Sequence, residues 1–225
     1  MFFKLKKICE HTFLPSLLTD GVVLDLGANQ GEFSMEIAKS FGKRCVALEP
    51  VPDLFDKLPT INGVKWIKAA LADQDGVLKI FLHTDRCASF MDAGRSDQVF
   101  VEARAISLPT LFIEENIVEV DLLKIDIEGE EVPILEKIKS EDLAQVNQIA
   151  IEFHDFLYSE LKPRVEAIKS KLENSGFYCI PFSLTNNGDV LFVRKNKISH
   201  AHYLGLKFFW RYVLGIIRKI GKILK

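Results

Sequence analysis

Four carboxylates and one histidine stand where an α/β chain could use them. Asp25 follows the apolar run Val22-Val23-Leu24, Glu49 follows Cys45-Val46-Ala47-Leu48, and Asp126 follows Leu122-Leu123-Lys124-Ile125. Each lies at the carboxyl end of a candidate parallel strand, the edge at which doubly wound sheets bind ligands. Glu152 and His154, two residues apart after Gln148-Ile149-Ala150-Ile151, would share one face of a further strand. A carboxylate can hold ribose hydroxyls or an ammonium group, and a histidine can take a proton from a hydroxyl near neutral pH. His154 is therefore the candidate base, with Glu152 or Asp126 orienting it or binding substrate. The same residues together with Asp155 are metal-ligand types, but no tight ligand motif joins them and no metal is assigned.

These side chains need a scaffold, and the stretch from Val22 to Ser34 supplies its first unit. An apolar strand runs into a turn bearing Gly27 and Gly31, and apolar residues then recur at helical spacing through Phe33, Ile37 and Phe41. Glycine tolerates positive φ and lets a ligand approach the backbone, while the helix start offers free N–H groups. The third glycine of a dinucleotide fingerprint is absent. An acid aimed into the turn, Asp25, suits a ligand carrying an ammonium better than a pyrophosphate. Glu49 lies eighteen residues after Gly31, where an acid at the end of the second strand can accept ribose hydroxyls. The ordered pair points to S-adenosylmethionine, the alternative being two ordinary βαβ turns.

Three stretches, Asp25-Leu26-Gly27-Ala28-Asn29-Gln30-Gly31, Glu49-Pro50-Val51-Pro52 and Lys124-Ile125-Asp126-Ile127-Glu128-Gly129-Glu130-Glu131, resemble the successive signatures of FkbM-type methyltransferases. The resemblance spans residues 21 to 154. It implies a class I, Rossmann-like α/β fold: a seven-stranded, mostly parallel sheet with helices on both faces and an antiparallel last strand. It further implies S-adenosylmethionine as methyl donor and a hydroxyl of a sugar or glycan as acceptor. On this basis Asp25, Gly27, Asn29, Gly31, Glu49 and Asp126 are expected to bind the cofactor, and Ala70 and Asp73 to border its adenine. Glu128 and Glu131 are candidate substrate ligands, stabilisation of a helix start being the alternative.

With 225 residues, 48% hydrophobic and 27% charged, the chain is the size of one α/β domain, expected over 21–196 between an N-terminal segment, 1–20, and a tail, 197–225. A net charge of −2 argues against a nucleic-acid binder. Cys9, Cys45, Cys87 and Cys179 are scattered, which disfavours a disulfide framework or zinc site and favours a cytoplasmic setting. The N-terminus lacks the apolar core of a signal peptide. Asp75-Gly76 begins an antiparallel excursion, Val77–Leu82 and Phe100–Ile106, expected to wall the substrate side. From Tyr203 on the chain has no acid. Lys207, Arg211, Arg218, Lys222 and Lys225 fall on one helical stripe opposite Leu206, Phe209, Val213, Ile216, Ile217, Ile220 and Leu224. That pattern predicts an amphipathic helix on an anionic membrane surface, placing the protein on the inner face of the membrane, with docking on the domain as the alternative. The oligomeric state is left open. Two rival functions remain: a silent nucleotide- or membrane-binding scaffold, and a short-chain dehydrogenase using Tyr158 and Lys162, against which Pro163 counts by disfavouring helical geometry at Lys162.

Overall fold

The computed structural model describes residues 4–82, 88–89, 99–157, 159–183 and 186–208. A hairpin of β1 (Lys6–Ile8) and β2 (His11–Phe13) opens the chain. Then β3 (Val22–Leu26), α1 (Glu32–Phe41), β4 (Cys45–Leu48), α2 (Pro52–Phe55) and β5 (Val64–Ile67) make a βαβαβ half. β6 (Ala70–Leu71), β7 (Gly76–Leu82), β8 (Ala88–Ser89) and β9 (Phe100–Ile106) form the excursion, a separate four-stranded sheet with β7 antiparallel to both β8 and β9. The second half comprises α3 (Leu108–Glu114), β10 (Val120–Ile125), α4 (Glu131–Lys137), β11 (Gln148–Ile151), α5 (Lys162–Asn174), β12 (Phe177–Pro181), β13 (Val190–Arg194) and α6 (His200–Phe208).

The main sheet has seven strands in the order β12-β13-β11-β10-β3-β4-β5. The five strands from β11 to β5 run parallel, while β13 is antiparallel to both its neighbours. The chain winds outward in both directions from the β3–β10 pair, so a crevice opens at the carboxyl ends of these two strands. Both are buried along their whole length, as strands covered on two faces must be. On β3, Val22, Leu24 and Leu26 join the core beneath α3, α4 and α5, whereas Val23 turns to the opposite core with Phe33 and Ile37 of α1. Among the charged residues that interrupt this apolar lattice are Asp25 and Lys124. Registered side by side on neighbouring strands, they pair at 3.0 Å between ammonium and carboxylate.

The N-terminal segment is tied into the domain. Leu14 exchanges two hydrogen bonds with the side-chain amide of Gln148, at 2.9 and 3.1 Å. Thr12 donates its N–H (3.1 Å) and its hydroxyl (2.7 Å) to the Asp189 carboxylate. At the other end, Tyr203 of α6 is buried and stacks on Tyr178 with ring centroids 4.2 Å apart, so this helix docks on the domain as far as it is described. Residues 209–225 of the expected basic helix, Tyr158 of the rival dehydrogenase pair and Cys87 lie outside the described residues. Lys162 is helical after all, because Pro163 sits in the first turn of α5, where its missing N–H has no intrahelical partner. Among the described residues no helix is long and apolar enough to cross a membrane.

Candidate active site

The crevice is built first from backbone. Gly27 has φ +87°, and a Cβ there would stand 1.8 Å from the Asp126 carbonyl oxygen, so no side chain fits. Asn29, also left-handed at φ +50°, donates its N–H to Glu49 Oε2 at 2.7 Å. The Val51 N–H donates to Glu49 Oε1 at 2.9 Å. Glu49, almost wholly buried just past β4, thereby ties the loops after β3 and β4 together. Burial raises its pKa, against the pull of these two amide donors. Beside it runs a groove walled by Leu48, Val51, Leu54, Ala70, Leu71 and Ile80 and edged by Glu49, Asp126 and Glu128. An apolar slot ended by acids suits a ligand with a flat apolar part, hydroxyls and a cationic end.

Not every expected cofactor residue reaches this groove. Gly27, Asn29, Glu49, Ala70 and Asp126 do. Asp25 does not: it is fully buried under the turn, pairing with Lys124 and accepting the Ser34 hydroxyl at 2.8 Å. Gly31 caps α1 and is small for a packing reason, since a Cβ there would press on the Trp66 ring at 2.7 Å and on Leu58 at 2.9 Å. Asp73 faces away and pairs with Lys137 at 2.8 Å.

Asp126 is the hub of the chemistry. Its N–H donates to the Leu26 carbonyl, and its Oδ2 lies 3.3 Å from His11 Nε2 and 3.5 Å from Lys124 Nζ. His154 Nε2 stands 3.9 Å from Oδ1. Burial alone would raise this carboxyl, but Lys124, His11 and His154 outweigh it and hold it below the usual carboxylate range. Glu152 comes within 4.8 Å of both His11 and Asp126, measured between ligating atoms. Burial and then the Asp126 charge raise its pKa.

β11 ends at Ile151, so Glu152 and His154 reach this cluster from the following turn and not as alternate residues of a strand. His154 also departs from the expected base. Its Nδ1 lies 3.2 Å from Glu131 Oε1, and its Nε2 faces Glu128 Oε2 at 3.6 Å. Burial alone would lower the imidazole pKa, but the Glu131 hydrogen bond and the charges of Glu131, Asp126 and Glu128 push it up to about 9. Near neutral pH the protonated ring is then the favoured form. A protonated histidine orients carboxylates and cannot accept a proton. Glu131, wholly buried, accepts the N–H groups of Ile127 (2.9 Å) and Gly129 (3.1 Å) besides holding His154, so it clamps the turn and does not line the groove. Glu128 does line the groove and sits at φ +55°, an unusual conformation for glutamate and one found at functional turns. The sets His11–Asp126–Glu152 and Asp126–Glu131–His154 are spaced to hold a metal ion, and the two cations nearest Asp126 are shared with other carboxylates, Lys124 with Asp25 and His154 with Glu131 and Glu128.

Sequence reasoning gave no role to Lys124 or His11. A lysine inside a strand buried on both faces demands a counter-charge, and that signal was available at Lys124. His11 carried none.

The family model for the methyltransferase FkbM domain matches residues 25–179. The methyltransferase sdnD of Sordaria araneosa is 23% identical over 207 residues, covering 75% of this chain and 78% of the relative. The AMB antimetabolite synthetase AmbE of Pseudomonas aeruginosa is 26% identical over 202 residues, covering 70% of this chain and 10% of that much longer protein. The matched span runs from the end of β3 into β12 and contains Gly27, Glu49, Asp126 and Glu152, so the chain belongs to the FkbM methyltransferase family and is a methyltransferase.

Proposed function

We propose that the protein is a class I, S-adenosylmethionine-dependent O-methyltransferase acting on a hydroxyl of a sugar or glycan. The observation that carries this reading is the position of Asp126, which edges the Glu49 groove on one side and approaches Glu152 on the other. The groove residues fit the cofactor: Glu49 for the ribose, the Ala70–Leu71 wall for the adenine, and Asp126 with Glu128 for the charged end. When bound, the cofactor supplies a methyl group on a sulfonium. Asp126, kept ionised by Lys124, offers that charge a permanent partner. Glu152, raised in pKa and close to Asp126, receives the acceptor's hydroxyl proton. His154, protonated and fixed by Glu131, holds the Asp126 and Glu128 carboxylates in place.

The test is transfer of isotopically labelled methyl from S-adenosylmethionine to a panel of sugars and glycans, with wild type beside Glu152→Gln. Loss of about a hundredfold or more in turnover with unchanged cofactor affinity is expected, and full activity in that variant would move the proton acceptor elsewhere. The basic tail supports contact with an anionic membrane surface through its charge pattern alone, and lipid-linked glycans would then be within reach. Co-sedimentation with anionic vesicles, comparing the full chain with one ending at Lys197, tests that contact.

A further inference from the structure

Beyond Glu152 lies a second cavity of about 370 Å³, within the ~300–1,000 Å³ range of small-molecule sites. It is framed by the N-terminal hairpin, through Lys7, Glu10 and Thr12, and by Asn186 and Asp189 just before β13. Glu152 belongs both to this cavity and to the Asp126 cluster. The route from the cofactor groove into the cavity is therefore Asp126 and then Glu152, two carboxylates with ligating atoms within 4.8 Å of each other.

The lining fixes what can enter. Lys7 is the only cation among its described residues, and it is occupied by Glu10 at 2.6 Å and Asp189 at 3.3 Å. Three carboxylates, Glu10, Glu152 and Asp189, line the cavity with this one ammonium, so a phosphate or carboxylate would meet net negative charge. On one wall the Phe156 ring, 45% exposed, is braced against His154 with centroids 5.6 Å apart. An exposed ring beside hydrogen-bonding carboxylate, amide and hydroxyl groups suits the C–H face and the hydroxyls of a sugar-like ring.

We infer that this cavity is the acceptor subsite, that the N-terminal hairpin forms one of its walls, and that it takes an uncharged or amine-bearing polyhydroxylated unit while refusing a phosphorylated one. The inference rests on the methyltransferase reading above and adds to it the location of the acceptor and a charge filter.

The experiment is amide chemical-shift mapping on the isotope-labelled full chain with glucose, glucosamine and glucose 6-phosphate at high millimolar concentration, S-adenosylhomocysteine being titrated into a parallel sample. Glucose and glucosamine are expected to shift Thr12, Asn186 and Gly188, and glucose 6-phosphate to leave them in place. Phe156→Ala should weaken the sugars about fivefold through lost ring contact. Glu10→Lys, reversing one wall charge, should admit glucose 6-phosphate and weaken glucosamine. Equal binding of glucose and glucose 6-phosphate by wild type, sugar shifts confined to another face, or no shift from any sugar would each overturn the inference. If S-adenosylhomocysteine shifts the Asn29 loop while the sugars fail, the acceptor subsite alone falls; if S-adenosylhomocysteine shifts nothing, the cofactor reading falls with it.

Discussion

The ionisation of His154 gives a stability signature with a definite sign. An unfolded histidine titrates near 6.5, whereas in the fold the Glu131, Asp126 and Glu128 carboxylates outweigh burial and push it up to about 9. A pKa raised by folding stabilises the native state in full below 6.5, and this contribution is lost as pH climbs through about 9. At about 1.4 kcal/mol per pH unit, the gap between the two values amounts to about 3 kcal/mol. The imidazole is almost wholly buried, so solvent screening removes little of it. The assay is urea unfolding at intervals from pH 6 to pH 9.5 for wild type and His154→Gln. The difference between the two curves isolates this residue, because the thiols of Cys45 and Cys179, which burial pushes up to about 12, destabilise both proteins alike above pH 9. Wild-type stability should fall by about 3 kcal/mol more than the variant's over that window. A parallel pair of curves, or a His154 titration midpoint at or below 6.5 by NMR, would refute the reasoning and restore the histidine as a candidate base.

Three further outcomes are expected. Gly27→Ala drives a Cβ to 1.8 Å from the Asp126 carbonyl and should cost about 3 kcal/mol; denaturant midpoints check this, and a near-neutral variant would contradict the close approach. Lys124→Met leaves Asp25 and Asp126 without their shared buried ammonium and should destabilise by about 3 to 5 kcal/mol; a loss below about 1 kcal/mol would show the pairing to be weak. Dialysis against EDTA should leave methyl transfer unchanged, because His11 and Lys124 already approach one Asp126 oxygen and His154 the other; activity lost and then restored by magnesium would instead place an ion among His11, Asp126 and Glu152.

The strand, turn and helix around Gly27 were legible because their signals are local: an apolar run, glycines where φ is positive, then helical periodicity. Glu49 and Asp126 were legible for a related reason, each closing an apolar strand on the edge where such sheets bind ligands. Whatever depends on register was hidden. Asp25 reads as a ligand contact in the sequence, but only the pairing of β3 with β10 sets it against Lys124 beneath the turn. The N-terminal hairpin was missed because its turn is made by Cys9 and Glu10 at φ +44° and +65°, without the glycine or asparagine that usually announces such a turn. His11 went unnoticed with it. Glu131 and Asp73 stand outside the groove, which was hidden because a carboxylate that clamps a turn or pairs with a surface lysine looks, in sequence, the same as one that binds substrate or borders a cofactor.

The account turns on the groove beside Glu49, and isothermal titration of the full chain with S-adenosylmethionine addresses it most directly. Saturable one-to-one binding is expected, weakened by about 1 to 3 kcal/mol in folded Glu49→Ala through the loss of charged hydrogen bonds. Binding unchanged in that variant, or no binding by the folded wild-type protein, would contradict it.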